Sequence, residues 1–77
     1  MAHNLSQLGK MIRFHRKQSG LSQAELAKMA DLGKTVIFDI EKGKMSIRLT
    51  SLLKIFHILN IQMNFESPLM AQFEESK

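Results

Sequence analysis

Apolar residues recur at spacings of three and four along most of the chain, which is the period of helices that bury one face. Glycine and polar residues interrupt this period at 19–20, around 31–33 and at 42–47, where they favour turns and loops. The pattern therefore predicts four helices, over residues 5–18, 22–30, 34–41 and 49–59. In the fourth helix Ile55 and Ile58 widen the apolar stripe, so we expect that helix to have two buried faces.

From Ile61 onward the apolar period falls to two, which is the period of a strand with one buried face. The pattern predicts one strand over 61–67, closed by Pro68. No second strand-like run is visible, so this strand needs a partner from another copy of the chain to satisfy its backbone hydrogen bonds. We therefore expect a homodimer in which two strands pair. The residues expected at its interface are Ile55, Ile58, Ile61, Met63 and Phe65.

Length and composition narrow the possible functions. A chain of 77 residues holds one modest core and has no room for a separate catalytic domain. The absence of cysteine excludes disulfides and thiolate metal sites, and His3, His15 and His57 lack metal-ligand spacing. No set of catalytic side chains is evident, so we expect neither enzymatic activity nor a cofactor. No run approaches the ~20 apolar residues of a membrane span, so we expect a cytoplasmic location.

The charge is unevenly distributed along the chain. Residues 1–48 carry nine lysines and arginines against four acids, a net +5, whereas residues 49–77 carry two lysines against three acids, a net −1. A basic first part favours a face that binds a polyanion such as nucleic acid, and a merely solvated basic surface is the alternative.

Two short predicted helices joined by a tight turn, over 22–30 and 34–41, have the dimensions of a helix-turn-helix. The strings Gly-Leu-Ser-Gln-Ala-Glu-Leu-Ala at 20–27 and Ile-Glu-Lys-Gly-Lys at 40–44 resemble the Xre/Cro-type helix-turn-helix family. This resemblance extends over about residues 8–59. It implies an all-α domain of four to five helices, followed here by the C-terminal β-strand that pairs across the homodimer.

The resemblance also assigns roles to individual side chains. It places eight residues at the DNA: Gln23, Lys34, Thr35, Phe38, Asp39, Lys42, Lys44 and Arg48. The four on the predicted third helix would face base edges, where lysine suits guanine and the threonine methyl suits thymine. The other four would contact phosphates. A solvated helix face is the alternative reading for these polar side chains.

The resemblance further pairs Arg16 with Glu41, a bidentate ion pair that ties the first helix to the end of the third. His15 occupies a position where the family usually has an apolar residue, so we expect a packed and hydrogen-bonded imidazole. Gly33 replaces the usual serine or threonine before the third helix, which weakens the start of that helix.

The helix over 49–59 followed directly by a strand resembles HipB-type antitoxins within this family. That resemblance implies a nucleoid-associated repressor of its own operon that binds operator DNA with inverted repeats and a HipA-type kinase toxin. A stand-alone phage-like or chromosomal Xre/Cro repressor is the alternative, and a protein-interaction module that has lost DNA binding is another. The predicted organisation is a helix-turn-helix domain over 1–60, a dimerisation strand over 61–67 and a flexible tail over 68–77.

Overall fold

The computed structural model describes residues 7–76, and that part of the chain contains five helices. They are α1 (Leu8–Gln18), α2 (Gln23–Met29), α3 (Lys34–Glu41), α4 (Leu49–Leu59) and α5 (Met70–Glu75). The first four confirm the predicted helices, and the bounds of α3 and α4 agree with the prediction. The predicted start of the first helix at Leu5 lies outside the described residues.

The ends of the helices follow local sequence signals. Ser22 and Glu25 form the predicted capping box, in which the Glu25 amide donates to Ser22 Oγ at 3.0 Å and the Ser22 amide donates to Glu25 Oε1 at 2.8 Å. Hydrogen bonds from Ser22 lower the pKa of the Glu25 carboxyl, and the one donated by the Ser22 backbone amide has the larger effect. Gly43 follows α3 at φ +96°, as predicted, and Asn60 ends α4 in the left-handed region at φ +58°.

The core lies where α1, α2, α3 and α4 meet, and α2 and α3 pack most closely on each other. Its fully buried side chains are Ile12, Leu26, Ile37, Ile40 and Ile55. Burial of each such side chain contributes about 1.5–3 kcal/mol to folding, so this small cluster carries much of the stability.

The fourth helix has one buried face within the chain. Leu52, Phe56 and Leu59 join Ile55 in the core, whereas the side chains of Leu49 and Leu53 are 62% and 44% exposed. The prediction that Ile55 contributes to a dimer interface is therefore wrong, because a side chain with no exposed surface cannot contact a second copy.

The helices α1 and α3 approach each other closely at Gly9. A methyl group built at this position would overlap the carbonyl oxygen of Ile40 and lie 3.2 Å from backbone atoms of Glu41. The backbones can approach in this way only because residue 9 has no side chain. This role of Gly9 was not predicted from the sequence.

Arg16 and Glu41 form the predicted ion pair, with side chains only 9% and 3% exposed. Arg16 Nε donates to Glu41 Oε2 at 2.7 Å and a terminal nitrogen donates to Oε1 at 3.0 Å, while the other donates to the carbonyl of Leu21 at 2.8 Å. The hydrogen bonds with Glu41 raise the pKa of Arg16 despite its burial. Gln23 Nε2 also donates to Glu41 Oε1, at 3.2 Å. One carboxylate thus joins α1, the start of α2 and the end of α3.

The predicted packing of His15 is confirmed. Its side chain is half-buried, and its Nδ1 lies 2.7 Å from the carbonyl oxygen of Met11 one turn earlier in α1.

The C-terminal part of the single chain differs from its prediction at residues 61–67 and again at 70–75. Residues 61–67 have no regular secondary structure in the single chain, and residues 7–76 contain no strand, so strand pairing between copies stays a prediction. Beyond them the chain forms α5, although the sequence shows no clear period there. The flexibility of 68–77 also stays a prediction.

Replacing Gly9 by alanine should destabilise the protein by about 1–3 kcal/mol, because α1 and α3 must move apart to admit the methyl group. Urea unfolding at fixed protein concentration measures the change. Gly33→Ala is the matched control, since a methyl group at Gly33 meets no atom within 4 Å, and it should cost no more than about 1 kcal/mol as a weaker helix cap. Equal losses for the two variants would contradict the close approach.

Replacing Glu41 by glutamine should cost about 3 kcal/mol, because it leaves the buried guanidinium of Arg16 without a counter-charge. The same unfolding experiment at neutral pH tests this. The control is Asp39→Asn, which removes an exposed ion pair and should change the stability by less than about 1 kcal/mol. A Glu41→Gln variant as stable as the control would show that the network is dispensable.

Candidate nucleic-acid interface

The outer face of α3 carries the four side chains predicted to read bases. Lys34, Thr35 and Phe38 are exposed, and Asp39 is half-buried. Their spacing along α3 places them on one side of the helix, because residues three and four apart are neighbours on a helix surface. The opposite side is held in the core by Ile37 and Ile40, so α3 presents this face to solvent.

The helix α3 begins at Gly33, which has an extended backbone and provides no side-chain cap. The predicted departure from a serine or threonine cap is therefore confirmed. In the first turn the Val36 amide donates to the Gly33 carbonyl at 3.0 Å, and no side chain caps the amides before it.

Lys42 follows α3 and contacts its outer face. Its Nζ lies 5.5 Å from the centroid of the Phe38 ring, in cation–π geometry. This contact covers part of the exposed phenyl ring and holds the lysine ammonium beside the outer face of α3.

Lys44 contacts Asp39, the acidic residue of the same helix face. Its Nζ lies 3.6 Å from Asp39 Oδ2, and its backbone amide donates to the Asp39 carbonyl at 3.0 Å. The lysine side chain is 62% exposed and the aspartate side chain 34%, so solvent weakens the ion pair. The loop after α3 therefore folds back along the helix and neutralises the only acid on its outer face.

Gln23 and Arg48 belong to the elements on either side of α3 in the chain. Gln23 is the first residue of α2, and its hydrogen bond to Glu41 places the start of α2 beside the end of α3. Arg48 is exposed and immediately precedes α4. The structure thus places Gln23 beside the end of α3, whereas Arg48 lies at the far end of the loop that follows α3.

Sequence reasoning missed the partners of the two loop lysines. The spacing of four between Phe38 and Lys42 was a usable signal, because such residues are neighbours on a helix surface. The pairing of Lys44 with Asp39 had no such signal, since it depends on how the loop folds back after Gly43, whose φ is +96°.

Residues 7–76 contain no group of three or more histidines and acids placed to hold a metal ion. None of the helices formed by these residues is both long and apolar enough to cross a membrane.

The chain is similar to known regulators in sequence. It matches the helix-turn-helix family over residues 12–65. It is 31% identical over 61 residues to an uncharacterized HTH-type transcriptional regulator, y4mF, of Sinorhizobium fredii, covering 79% of this chain and 80% of that protein. It is 33% identical over 57 residues to the ImmF control region 10 kDa protein of Bacillus phage phi105, covering 74% of this chain and 63% of that protein.

Solved structures show the same fold. The restriction-modification controller protein C.AhdI from Aeromonas hydrophila is 31% identical, with a TM-score of 0.69 over 75% of this chain and 88% of that one. A chain of the HipA-HipB-O2-O3 complex is 26% identical, with a TM-score of 0.76 over 88% of this chain and 96% of that one. The matched region includes α2, α3 and the loop between them, and this protein belongs to the Xre/Cro-type helix-turn-helix family of transcriptional regulators.

Proposed function

We propose that this protein is a sequence-specific DNA-binding repressor that acts as a homodimer and as the antitoxin of a HipBA-like operon. The observation that carries the proposal is the outer face of α3, where Lys34, Thr35 and Phe38 are exposed above a rigid core and two lysines flank them. A protruding helix of this kind fits the major groove of double-stranded DNA.

The side chains divide into two groups by their chemistry. Lys34 suits guanine O6 and N7, while the Thr35 methyl and the Phe38 ring suit the methyl group of thymine. Gln23, Lys42, Lys44 and Arg48 suit phosphates, which set affinity and position without reading sequence.

Binding to DNA requires the two loop lysines to exchange partners. In the free protein Lys42 lies over Phe38, and Lys44 lies beside Asp39. Both contacts are exposed, and exposed contacts of this kind contribute about 0–1 kcal/mol, so phosphates can replace them at little cost. The free protein thus keeps its phosphate-binding lysines next to the surface that they serve.

The proposed dimer uses residues that the single chain leaves uncovered. Ile58 and Ile61 are half-buried, and the side chains of Met63 and Phe65 are 37% and 71% exposed. Pairing of two 61–67 strands about a two-fold axis would cover them and satisfy their backbone groups. A symmetric dimer would then bind an inverted repeat, with half-sites about one helical turn apart.

The antitoxin role is supported by the similarity to the HipB-containing complex, which spans 88% of this chain and therefore includes the segment after α4. By the same similarity the toxin partner would be a HipA-type kinase. A stand-alone repressor is the second candidate, and the 33% identity to the ImmF control region protein of a phage favours it. A neighbouring kinase-like gene would favour the antitoxin, and a phage cluster would favour the stand-alone repressor.

The proposal is tested by a salt titration of binding to the DNA directly upstream of the gene, with unrelated DNA as competitor. Preference for the upstream fragment at physiological salt is the expected result. If neither fragment binds, the repressor function is wrong and the domain is a protein-interaction module, the reading that the exposed Phe38 and the acidic Asp39 favour.

Replacing Lys34 by alanine should cost about 1–3 kcal/mol of binding free energy on the operator and relax the preference at one base pair. Lys44→Ala should instead weaken binding to every sequence alike and reduce the salt dependence. Competition titrations with operator and unrelated DNA separate the two effects. Equal losses on all sequences for both variants would contradict the base-reading role of Lys34.

Replacing Met63 by proline should weaken the dimer, because proline removes a ladder hydrogen bond from the paired strands. Sedimentation equilibrium measures the change in mass with concentration. Met45→Pro, in the loop before α4, is a control for proline substitution outside the predicted strand. An unchanged dimer in the Met63→Pro variant would contradict strand pairing.

A further inference from the structure

The helix α5 is incompletely packed in the single chain. It has six residues, none of them buried, and the side chains of Leu69 and Phe73 before and within it are 65% and 57% exposed. Isolated helices of this length are unstable in water, because the few hydrogen bonds of a short helix do not offset the free energy of nucleation. A helix that exposes apolar residues at a spacing of four therefore needs an apolar surface to stabilise it.

A groove of suitable character lies between the end of α2 and the outer face of α4. It has a volume of about 310 Å³, and its larger apolar lining residues are Met29, Leu53 and Ile58. The side chains of Met29 and Leu53 are 56% and 44% exposed, so the walls of the groove are uncovered. No residue of α5 lines the groove in the same chain.

We propose that α5 of a second copy occupies this groove, so that the two copies of a dimer exchange their C-terminal helices. The inference rests on the homodimer proposed above and extends it, because it assigns a second, reciprocal interface to residues outside the strand. Each copy would provide one groove and one helix, as two-fold symmetry requires.

The topology brings these two elements together. In an antiparallel pair the end of one strand lies beside the start of the other. The predicted strand over 61–67 would start directly after α4 and end three residues before α5, so in such a pair α5 of one copy would begin beside the end of α4 in the other. Ile58 and His57, which line the groove, are in that last turn of α4.

Size and charge agree with this occupant. A six-residue helix is roughly 9 Å long, which is suited to a groove that follows two to three turns of α4. Lys54 lies on the α4 side of the groove, while Glu75 lies at the end of α5. Asp31 lies at the α2 end and would repel this acid, so the charges favour an orientation that keeps the end of α5 near Lys54.

Site-directed cross-linking tests the exchange, because the native chain contains no cysteine. Lys54→Cys at the groove and Gln72→Cys on α5 are co-expressed with different tags, purified as the mixed dimer and treated with a short bis-maleimide. We expect a cross-link between the two differently tagged chains. The control pairs Gln72→Cys with Lys10→Cys on α1, which lies outside the groove, and should give a yield lower by about tenfold.

Three outcomes would overturn the exchange while leaving the repressor function intact. One is a dimer that binds the upstream DNA but gives no more cross-link than the control. Another is a cross-link within one chain, seen when a chain carrying both cysteines is diluted with excess native chain. That result would show that α5 occupies the groove of its own copy. The third is a groove variant that dimerises normally but no longer binds the neighbouring gene product, which would assign the groove to that partner.

A double-mutant cycle gives an independent readout. Leu53→Asp and removal of residues 68–77 should each raise the dimer dissociation constant by about tenfold, and the combination should have no larger effect than either change alone. The control is Phe14→Asp on α1, whose side chain is 60% exposed and lies outside the groove. Fully additive effects would contradict a contact between α5 and the groove. Loss of DNA binding by the native protein would instead contradict the proposed function itself.

Discussion

The buried ion pair between Arg16 and Glu41 is the contact on which the arrangement of the helices depends. Their charges lie in a region with little solvent, so each would be costly to bury without the other. Arg16 also satisfies the carbonyl of Leu21, and Glu41 also accepts from Gln23. The pair therefore fixes α1, the turn before α2 and the end of α3 relative to one another, in directions that non-directional apolar packing leaves free.

The proposed DNA-binding surface depends on this frame. Because Ile37 and Ile40 are held in the core, the remaining side of α3 faces solvent, and the position of the helix that carries the exposed side chains is set by the core. The loop after α3 adds Lys42 and Lys44 to the same surface, because it folds back along the helix. A surface that is already ordered in the free protein loses less conformational entropy when it binds.

The C-terminal part of the chain has the opposite character. The four-helix core covers one face of α4 but leaves Leu53 exposed, and α5 buries none of its residues. Exposed apolar side chains extend from Leu53 through Met63, Phe65 and Leu69, and residues 61–67 have no regular secondary structure. Association with a second copy would cover this apolar surface. The rigid half of the molecule thus carries the proposed reading surface, and the incompletely packed half carries the proposed assembly surface.

The sequence by itself determined the elements that depend on neighbouring residues. The period of apolar residues predicts α1 to α4, the spacing of Ser22 and Glu25 predicts the capping box, and Gly43 predicts the end of α3. The family strings predict the pairing of Arg16 with Glu41 and which residues of α3 are exposed.

The tertiary structure alone decided what depends on distant segments. Both Ile55 and Leu53 belong to the apolar stripe of α4, and only the position of α1 and α2 decides that the first is buried and the second exposed. The need for glycine at residue 9 exists only because α3 passes beside it. Helix α5 was not predicted because six residues are too few to show the period of apolar residues that marks a helix. Caps, turns and the apolar period depend on residues within one or two helical turns of each other. Burial depends on segments that are distant in the sequence and that folding brings together.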